Sequence, residues 1–288
     1  MELTDDTMVR FKGLVYNRCN LSFPVTRDMQ LRRWLVHRAE EGRHGSLEDY
    51  YRKLVADDRE FERLISLITT RETYFFRMPD HFRALKETVL PEIVDREGKK
   101  AMKAISRGET SRMRLRAWSA GCANGQEAYS LAMQIHGTLH YPRAWDLTVL
   151  GTDINADALE IARAGRYDGM RMGSMPPQFS DRYVTSTAAG EVAITDELKT
   201  ITEFRQLNLK QLPEDQGFRN DFDIIFCRNV MIYFDLAAQQ RLVTALADCL
   251  VPGGYLFTGE GEVLHLYDHS FEMVERNGCM YYRKPWGN

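Results

Sequence analysis

Cysteine is sparse in this 288-residue chain, and the five present, Cys19, Cys122, Cys227, Cys249 and Cys279, form no C-x-x-C pair. Isolated thiols in odd number argue against a disulfide framework and a cysteine zinc site, and they suit a reducing compartment. No apolar run reaches the roughly 20 residues that cross a bilayer. The first residues, MELTDDTMVRFKG, also lack the short apolar core of an export signal. The expected location is the cytoplasm, with no insertion into membrane. A surplus of positive charge is missing too, since the formal net charge is -3. Nucleic acid is therefore not an expected partner, because phosphate binding leaves a clustered basic footprint. The histidines are scattered, with no Ser-His-Asp or metal-holding constellation, so no metal is expected, and His81, His265 and His269 read as structural or surface residues. Both phosphate cradles, the P-loop ending in lysine and the G-x-G-x-x-G turn, are absent as well.

What is present is an ordinary globular composition, 44% hydrophobic and 27% charged, enough for a large domain plus a small one. The first third reads as helical. Leu47, Tyr50, Tyr51 and Leu54 repeat at i, i+3, i+4 and i+7 after Ser46, a suitable N-cap, and Phe61, Leu64, Ile65 and Ile68 repeat the spacing. Leu31, Trp34 and Leu35 make a third stripe, with Arg32, Arg33 and Arg38 beside it as a solvated face or a docking surface for an acidic partner.

From about Arg114 strands alternate with helices, the pattern of a parallel sheet with crossover helices. Leu115 to Ala120 and Leu147 to Asp153 read as strands. Leu131, Ile135 and Leu139 mark the helix between them, and Asn155 caps a helix to Ala164. Phe222 to Cys227 suits a strand covered on both faces. Leu242, Leu246 and Leu250 mark a returning helix, which Pro252, Gly253 and Gly254 stop before a strand from Tyr255 to Gly259. Between Tyr167 and about Thr202 the rhythm breaks into an insertion with short edge strands such as Glu191 to Thr195, or a long surface loop. Phe271 to Glu275 and Met280 to Arg283 form a closing hairpin around Asn277 and Gly278.

In an open α/β sheet, ligands sit beyond the carboxyl ends of the strands. The turn from Ser119 to Gly125, SAGCANG, falls there, and its small residues admit either a ligand or tight packing. Asp153 closes the strand VLGTD, where a carboxylate can accept from both hydroxyls of a ribose or stabilise a helix start; Asn155 fills the capping role better. Glu127 lies within a turn of the next helix start, where it would repel pyrophosphate but pair with an ammonium group. A ligand with ribose, adenine and a charged amino-acid tail but no phosphate fits these residues better than a nicotinamide dinucleotide, and S-adenosylmethionine has those parts.

Six motifs in order carry a resemblance that spans nearly the whole chain: TTRETYFFR from Thr69 to Arg77, WSAGCANGQEAYS from Trp118 to Ser130, GTD from Gly151 to Asp153, Asn208-Leu209, FCRNVMIYFD from Phe226 to Asp235, and PGGYL from Pro252 to Leu256. Together they resemble the CheR-type chemotaxis receptor methyltransferases. The resemblance implies a Rossmann-like class I methyltransferase sheet of the α/β class, with a helical N-terminal domain over residues 1–78 and a methyltransferase domain over 79–288. A small antiparallel subdomain inserted at about 167–202 grips a receptor tail peptide in some members, and the helical domain docks on the receptor near its methylation sites. The implied partners are the cytoplasmic signalling domains of chemoreceptors, together with other chemotaxis proteins.

The same resemblance places Thr73 and Arg77 at the cofactor's amino-acid end, Glu127 at its ammonium and Asp153 at its ribose. Asn208 with Leu209, and Asn229 with Val230, frame the adenine and methionine portions, and Tyr233 sits beside the reactive methyl. Arg77 and Tyr233 are the expected catalytic residues. Arg71 stands where the family usually has asparagine, a cation close to the cofactor that would point to solvent, hold the cofactor carboxylate or repel its sulfonium. Gln126 and Ala128 replace a frequent glutamate and proline. The implied reaction methylates glutamate side chains of chemoreceptors, forming methyl esters. A glutamate is already an anion at neutral pH, with a pKa near about 4.3, so no strong base is required. The alternatives are a methyltransferase of the same fold with another substrate, and a cofactor-binding signalling or scaffold module with weak or no catalysis. A nicotinamide dehydrogenase is a more distant one.

Overall fold

The computed structural model describes residues 4–69, 73–172, 175–187, 190–212, 217–276 and 278–287, with backbone only at Met170 and Arg171. Its first part is four helices, α1 (Asp5–Cys19), α2 (Asp28–Glu41), α3 (Leu47–Ala56) and α4 (Asp58–Ile68). Short polar side chains start three of them. Thr4 accepts from Thr7 N–H, Ser46 from Asp49 N–H, and Asp57 from Arg59 and Glu60 N–H, satisfying amides that the helix leaves open. The apolar stripes read from the sequence meet in one core, where Leu31, Leu35, Tyr50, Leu54, Leu64 and Ile65 are buried. Arg38 belongs to that core's edge rather than to a solvated face. It clasps the buried Glu60 at 2.7 Å, and Tyr50 Oη donates to the same carboxylate at 3.1 Å, whereas Arg32 and Arg33 are exposed.

Helix α5 (Pro79–Ala84), one π-helical stretch from Leu85 to Val89, and α6 (Leu90–Ile105) lead into the sheet. Strand β1 (Met113–Ala120), α7 (Gln126–Thr138), β2 (Trp145–Asp153) and α8 (Ala156–Ala164) follow. Next come β3 (Arg166–Asp168), α9 (Pro177–Tyr183), β4 (Val184–Ser186), β5 (Glu191–Ile194) and α10 (Asp196–Lys199). Last are β6 (Thr202–Gln206), β7 (Phe222–Cys227), α11 (Leu236–Cys249), β8 (Leu250–Thr258), β9 (Glu272–Arg276) and β10 (Cys279–Arg283). The main sheet has seven strands in the order β6-β2-β1-β7-β8-β10-β9. The first five pair in parallel, and the β9–β10 hairpin closes one edge antiparallel. The order reverses between β1 and β7, which opens a crevice beyond their carboxyl ends, the place where doubly wound sheets hold ligands.

Burial follows from this layering. All six residues of β7 are buried, as expected for a strand covered on both faces. On one face Leu131 and Ile135 of α7 pack with Phe226 and Phe257. On the other Leu242 and Leu246 of α11 pack with Trp118 and Phe222. Strands β3, β5 and β4 form a separate antiparallel sheet of three strands. Phe179 and Tyr183 of α9 join it to the main core, with Phe179 stacked on Phe76 at 4.8 Å.

Three local expectations need correction. Leu139 lies one residue past α7, as its C-cap. Leu250 begins β8 instead of ending α11, because the sheet register claims it: Phe222 pairs with Leu250, and Ile224 with Tyr255. Pro252, Gly253 and Gly254 therefore form an irregularity inside the strand, not a stop before it. Gly253 has φ +74°, and a Cβ there would meet the Trp286 ring at 2.4 Å. The hairpin appears where expected, although Asn277 of its turn lies outside the described residues.

Candidate functional site

A cleft opens beyond the carboxyl ends of β1, β2, β6 and β7. Each strand tip contributes to it: Gly121 and Ala123 after β1, Asp153 and Ile154 at β2, Leu207, Asn208 and Leu209 after β6, and Asn229 and Val230 after β7. Cys19 and Leu21 line it from the end of α1. Main-chain bonds hold that side in place, since Ser22 N–H donates to Tyr233 O at 2.8 Å and Leu21 bridges Phe234 antiparallel.

The rim is set by the chain's smallest residues. Gly121 has φ +81°, and a Cβ there would lie 2.4 Å from Val230 Cγ2, so the turn after β1 and the loop after β7 come this close only because glycine is there. Asp153 pins the same turn. Its Oδ2 accepts from Ala123 N–H at 2.8 Å and its Oδ1 from Asn155 N–H at 2.9 Å. Asn155 caps α8 through Ala158 N–H at 3.1 Å. It also accepts from Ser66 Oγ at 2.9 Å, tying α4 to the sheet. Asn208 donates to Arg18 O at 2.7 Å and accepts from Lys210 N–H at 3.1 Å.

The loop after β7 turns through Asn229, which has φ +58°, a conformation that asparagine tolerates better than most residues. Among the described residues its buried Oδ1 has no hydrogen-bond partner, and the residue lines the cleft. Tyr233 completes the same wall, with the Arg27 guanidinium over its ring at 5.7 Å.

Six of the residues expected from the sequence thus meet in one cleft: Asp153, Asn208, Leu209, Asn229, Val230 and Tyr233. Glu127, Thr73 and Arg77 are not among its lining residues, and Arg71 lies outside the described residues. Glu127 is buried behind the first turn of α7. Its Oε1 accepts from Ser119 Oγ at 2.7 Å and its Oε2 from Arg228 Nε at 2.8 Å. Arg228, 4% exposed, also donates to Arg77 O at 2.7 Å and contacts His81 Nδ1 at 3.3 Å, while its buried Nη2 has no partner among the described residues. Burial, reinforced by the Arg228 charge, drops the His81 pKa to about 3, so this histidine is neutral. Its structural reading is borne out by 5% exposure.

Sequence reasoning passed over Leu21, Ile154, Phe234, Arg228 and Glu262. Glu262, in the run Gly-Glu-Gly-Glu just past the end of a buried strand, has no side-chain signal that sets it apart from Glu260. Glu262 accepts from the amides of Asn229, Ile232 and Gly259.

The lining suits an adenosyl ligand without phosphate. Among the described residues it contains no lysine or arginine, it offers apolar surface from Leu207, Leu209 and Val230, and it includes Asp153 and Asn229. Among the described residues no group of three or more metal-ligating side chains occurs, and no helix is long and apolar enough to cross a membrane.

Comparison with known proteins agrees. Residues 71–279 match the family model described as CheR methyltransferase, SAM binding domain, and residues 6–69 match its all-alpha domain. The chain is similar to chemotaxis protein methyltransferase 1 of Pseudomonas aeruginosa, at 35% identity over 77% of each chain. It is also similar to chemotaxis protein methyltransferase 2 of Vibrio cholerae, at 28% identity over 98% of this chain and 94% of the relative. A chemotaxis protein methyltransferase of Borreliella burgdorferi is 29% identical over 92% and 90% respectively.

Proposed function

The chain belongs to the CheR methyltransferase family, an S-adenosylmethionine-dependent methyltransferase by that membership, and from that premise we propose that it esterifies glutamate side chains on the cytoplasmic signalling domains of chemoreceptors. The convergence of Asp153, Asn208, Asn229 and Tyr233 on one cleft carries the reading. When bound, S-adenosylmethionine supplies an electrophilic methyl on a sulfonium. Asp153 holds the ribose hydroxyls, with its carboxylate already aimed by the amides of Ala123 and Asn155. Asn208 with Leu209, and Asn229 with Val230, frame the adenine and methionine portions. Glu127, Thr73, Arg77 and Arg71 serve the amino-acid end, and Arg77 orients it.

The acceptor carboxylate forms the new C–O bond in line as the C–S bond breaks, and the bonding pair returns to sulfur, which becomes neutral. No proton need be removed, so alignment and exclusion of water do the catalytic work. Tyr233 positions the acceptor. In this reading residues 1–78 dock on the receptor, residues 79–288 carry out transfer in the cytoplasm, and the small sheet within 167–202 contacts the receptor's tail or another chemotaxis protein.

The test offers radiolabelled S-adenosylmethionine and receptor cytoplasmic fragments carrying glutamate or glutamine at the acceptor positions. Base-labile label on the glutamate fragment alone is the expected result. Equal labelling of both fragments, or of neither, would overturn the assignment.

A further inference from the structure

Glu262 ends a turn just beyond β8, closed by its own N–H donating to Gly259 O at 3.0 Å. The residue is 5% exposed, yet among the described residues no lysine, arginine or histidine forms an ion pair with it. Its carboxylate is instead surrounded by main-chain donors. Oε2 accepts from Asn229 N–H and Gly259 N–H, both at 2.7 Å, and Oε1 accepts from Ile232 N–H at 3.2 Å. Two of these three donors belong to the loop after β7, the same loop that brings Asn229, Val230 and Tyr233 to the cleft.

Gly259 makes the contact possible. A Cβ there would lie 2.4 Å from Glu262 Oε2 and 2.7 Å from Asn229 N. Burial pushes the Glu262 pKa up, and the amides of Asn229, Gly259 and Ile232 pull it back down. A buried carboxylate without a counter-ion is costly unless its hydrogen bonds fix something in return. What these bonds fix is the left-handed turn at Asn229 and the path of the next three residues.

We propose that Glu262 is a positioning residue for methyl transfer, holding the loop from Arg228 to Tyr233 in the one conformation that presents Asn229 to the cofactor and Tyr233 to the methyl acceptor. The role rests on the cleft being the cofactor site, and it is independent of which acceptor is used. Glutamine at this position has the same shape but one accepting oxygen instead of two, so its NH2 would face at least one of the three N–H donors and the loop would lose part of its anchor without a cavity being made.

The full-length protein is compared with Glu262→Gln, Gly259→Ala and Asp153→Ala by calorimetric titration of S-adenosylhomocysteine, by turnover, and by amide hydrogen exchange at Asn229 and Ile232. Glu262→Gln should keep the wild-type far-ultraviolet spectrum while losing ~10-fold or more in both affinity and kcat, because buried charged hydrogen bonds are lost. Exchange at Asn229 and Ile232 should accelerate with it. Gly259→Ala should reproduce this pattern by displacing the carboxylate. Asp153→Ala should weaken affinity and leave Ile232 exchange unchanged. Wild-type affinity and turnover in Glu262→Gln and Gly259→Ala would overturn the role, and so would losses that leave both amides as protected as before. Should Glu262→Gln not fold, fast exchange of the two amides in the wild-type protein would itself overturn it. Full affinity in Asp153→Ala would refute the cleft assignment, and the role of Glu262 with it.

Discussion

Asp153 and Glu127 are two acids near neighbouring strand tips, and the fold uses them in opposite ways. Asp153 stands on the rim of the cleft, half-buried, with one backbone amide on each oxygen. Glu127 lies behind that rim, with Ser119 on one oxygen and the Arg228 guanidinium on the other. A carboxylate on the rim of a cleft faces whatever the cleft holds. One paired with a buried cation is part of the protein's own electrostatic framework, and it reaches a ligand only through whatever lone pairs remain. Proximity to a strand tip therefore does not by itself set an acid's role; whether it stands on the cleft's rim or behind it does.

The contrast breaks most sharply at Arg228. Arg228→Met would strand Glu127 inside the protein, and the expected loss of stability is ~3–5 kcal/mol, the range for breaking a buried pair from one side. Denaturant unfolding measures it. A loss below ~1 kcal/mol, typical of exposed pairs, would put Glu127 and Asp153 in the same class after all.

At Asp153 the effect should fall on binding. Asp153→Ala is expected to weaken S-adenosylmethionine affinity by ~1–3 kcal/mol, the scale of charged hydrogen bonds. Calorimetry checks this, and unchanged affinity would remove Asp153 from the rim's working set.

The smallest effect concerns His81, which touches the same guanidinium. Its folded pKa of about 3 lies below the ordinary 6.5, so below pH 6.5 the unfolded chain takes up a proton that the folded protein refuses. Stability contributed by the neutral ring is present above pH 6.5 and is lost as pH falls toward the folded value. At pH 5.5 the loss should be about 1.4 kcal/mol. Unfolding free energies at pH 7.5 and 5.5 for wild type and His81→Phe measure it. Equal slopes would show that neither burial nor the Arg228 charge excludes the imidazolium.

Most of the fold was legible because its signals are local. Ser46 and Asn155 announce helix starts through side chains that reach their own backbone, and the apolar run from Phe222 to Cys227 announces a covered strand. The small antiparallel sheet was legible only in part, because its strands are three or four residues long and are held by Phe179 and Tyr183 packing from a helix. Leu250 was misread because helical spacing continues past the point where the pairing with Phe222 takes over. At the site, Asp153 and Tyr233 could be read from motifs. Arg228 sat inside a quoted motif and still went unnoticed, since its partners Glu127 and His81 are about a hundred residues or more away in sequence. Glu262 was invisible for a related reason: its partners are amides, which leave no trace in side-chain identity.

The strap from Asn20 to Phe23 that meets the segment at Tyr233 and Phe234 has its own consequence. Ser22 and Leu21 make that junction through peptide groups, and peptide groups are common to every residue but proline. The seam at Ser22 therefore does not depend on the side chain carried there, and most substitutions of Ser22 should leave it closed. A proline at Ser22, which would delete the donor, should not be tolerated.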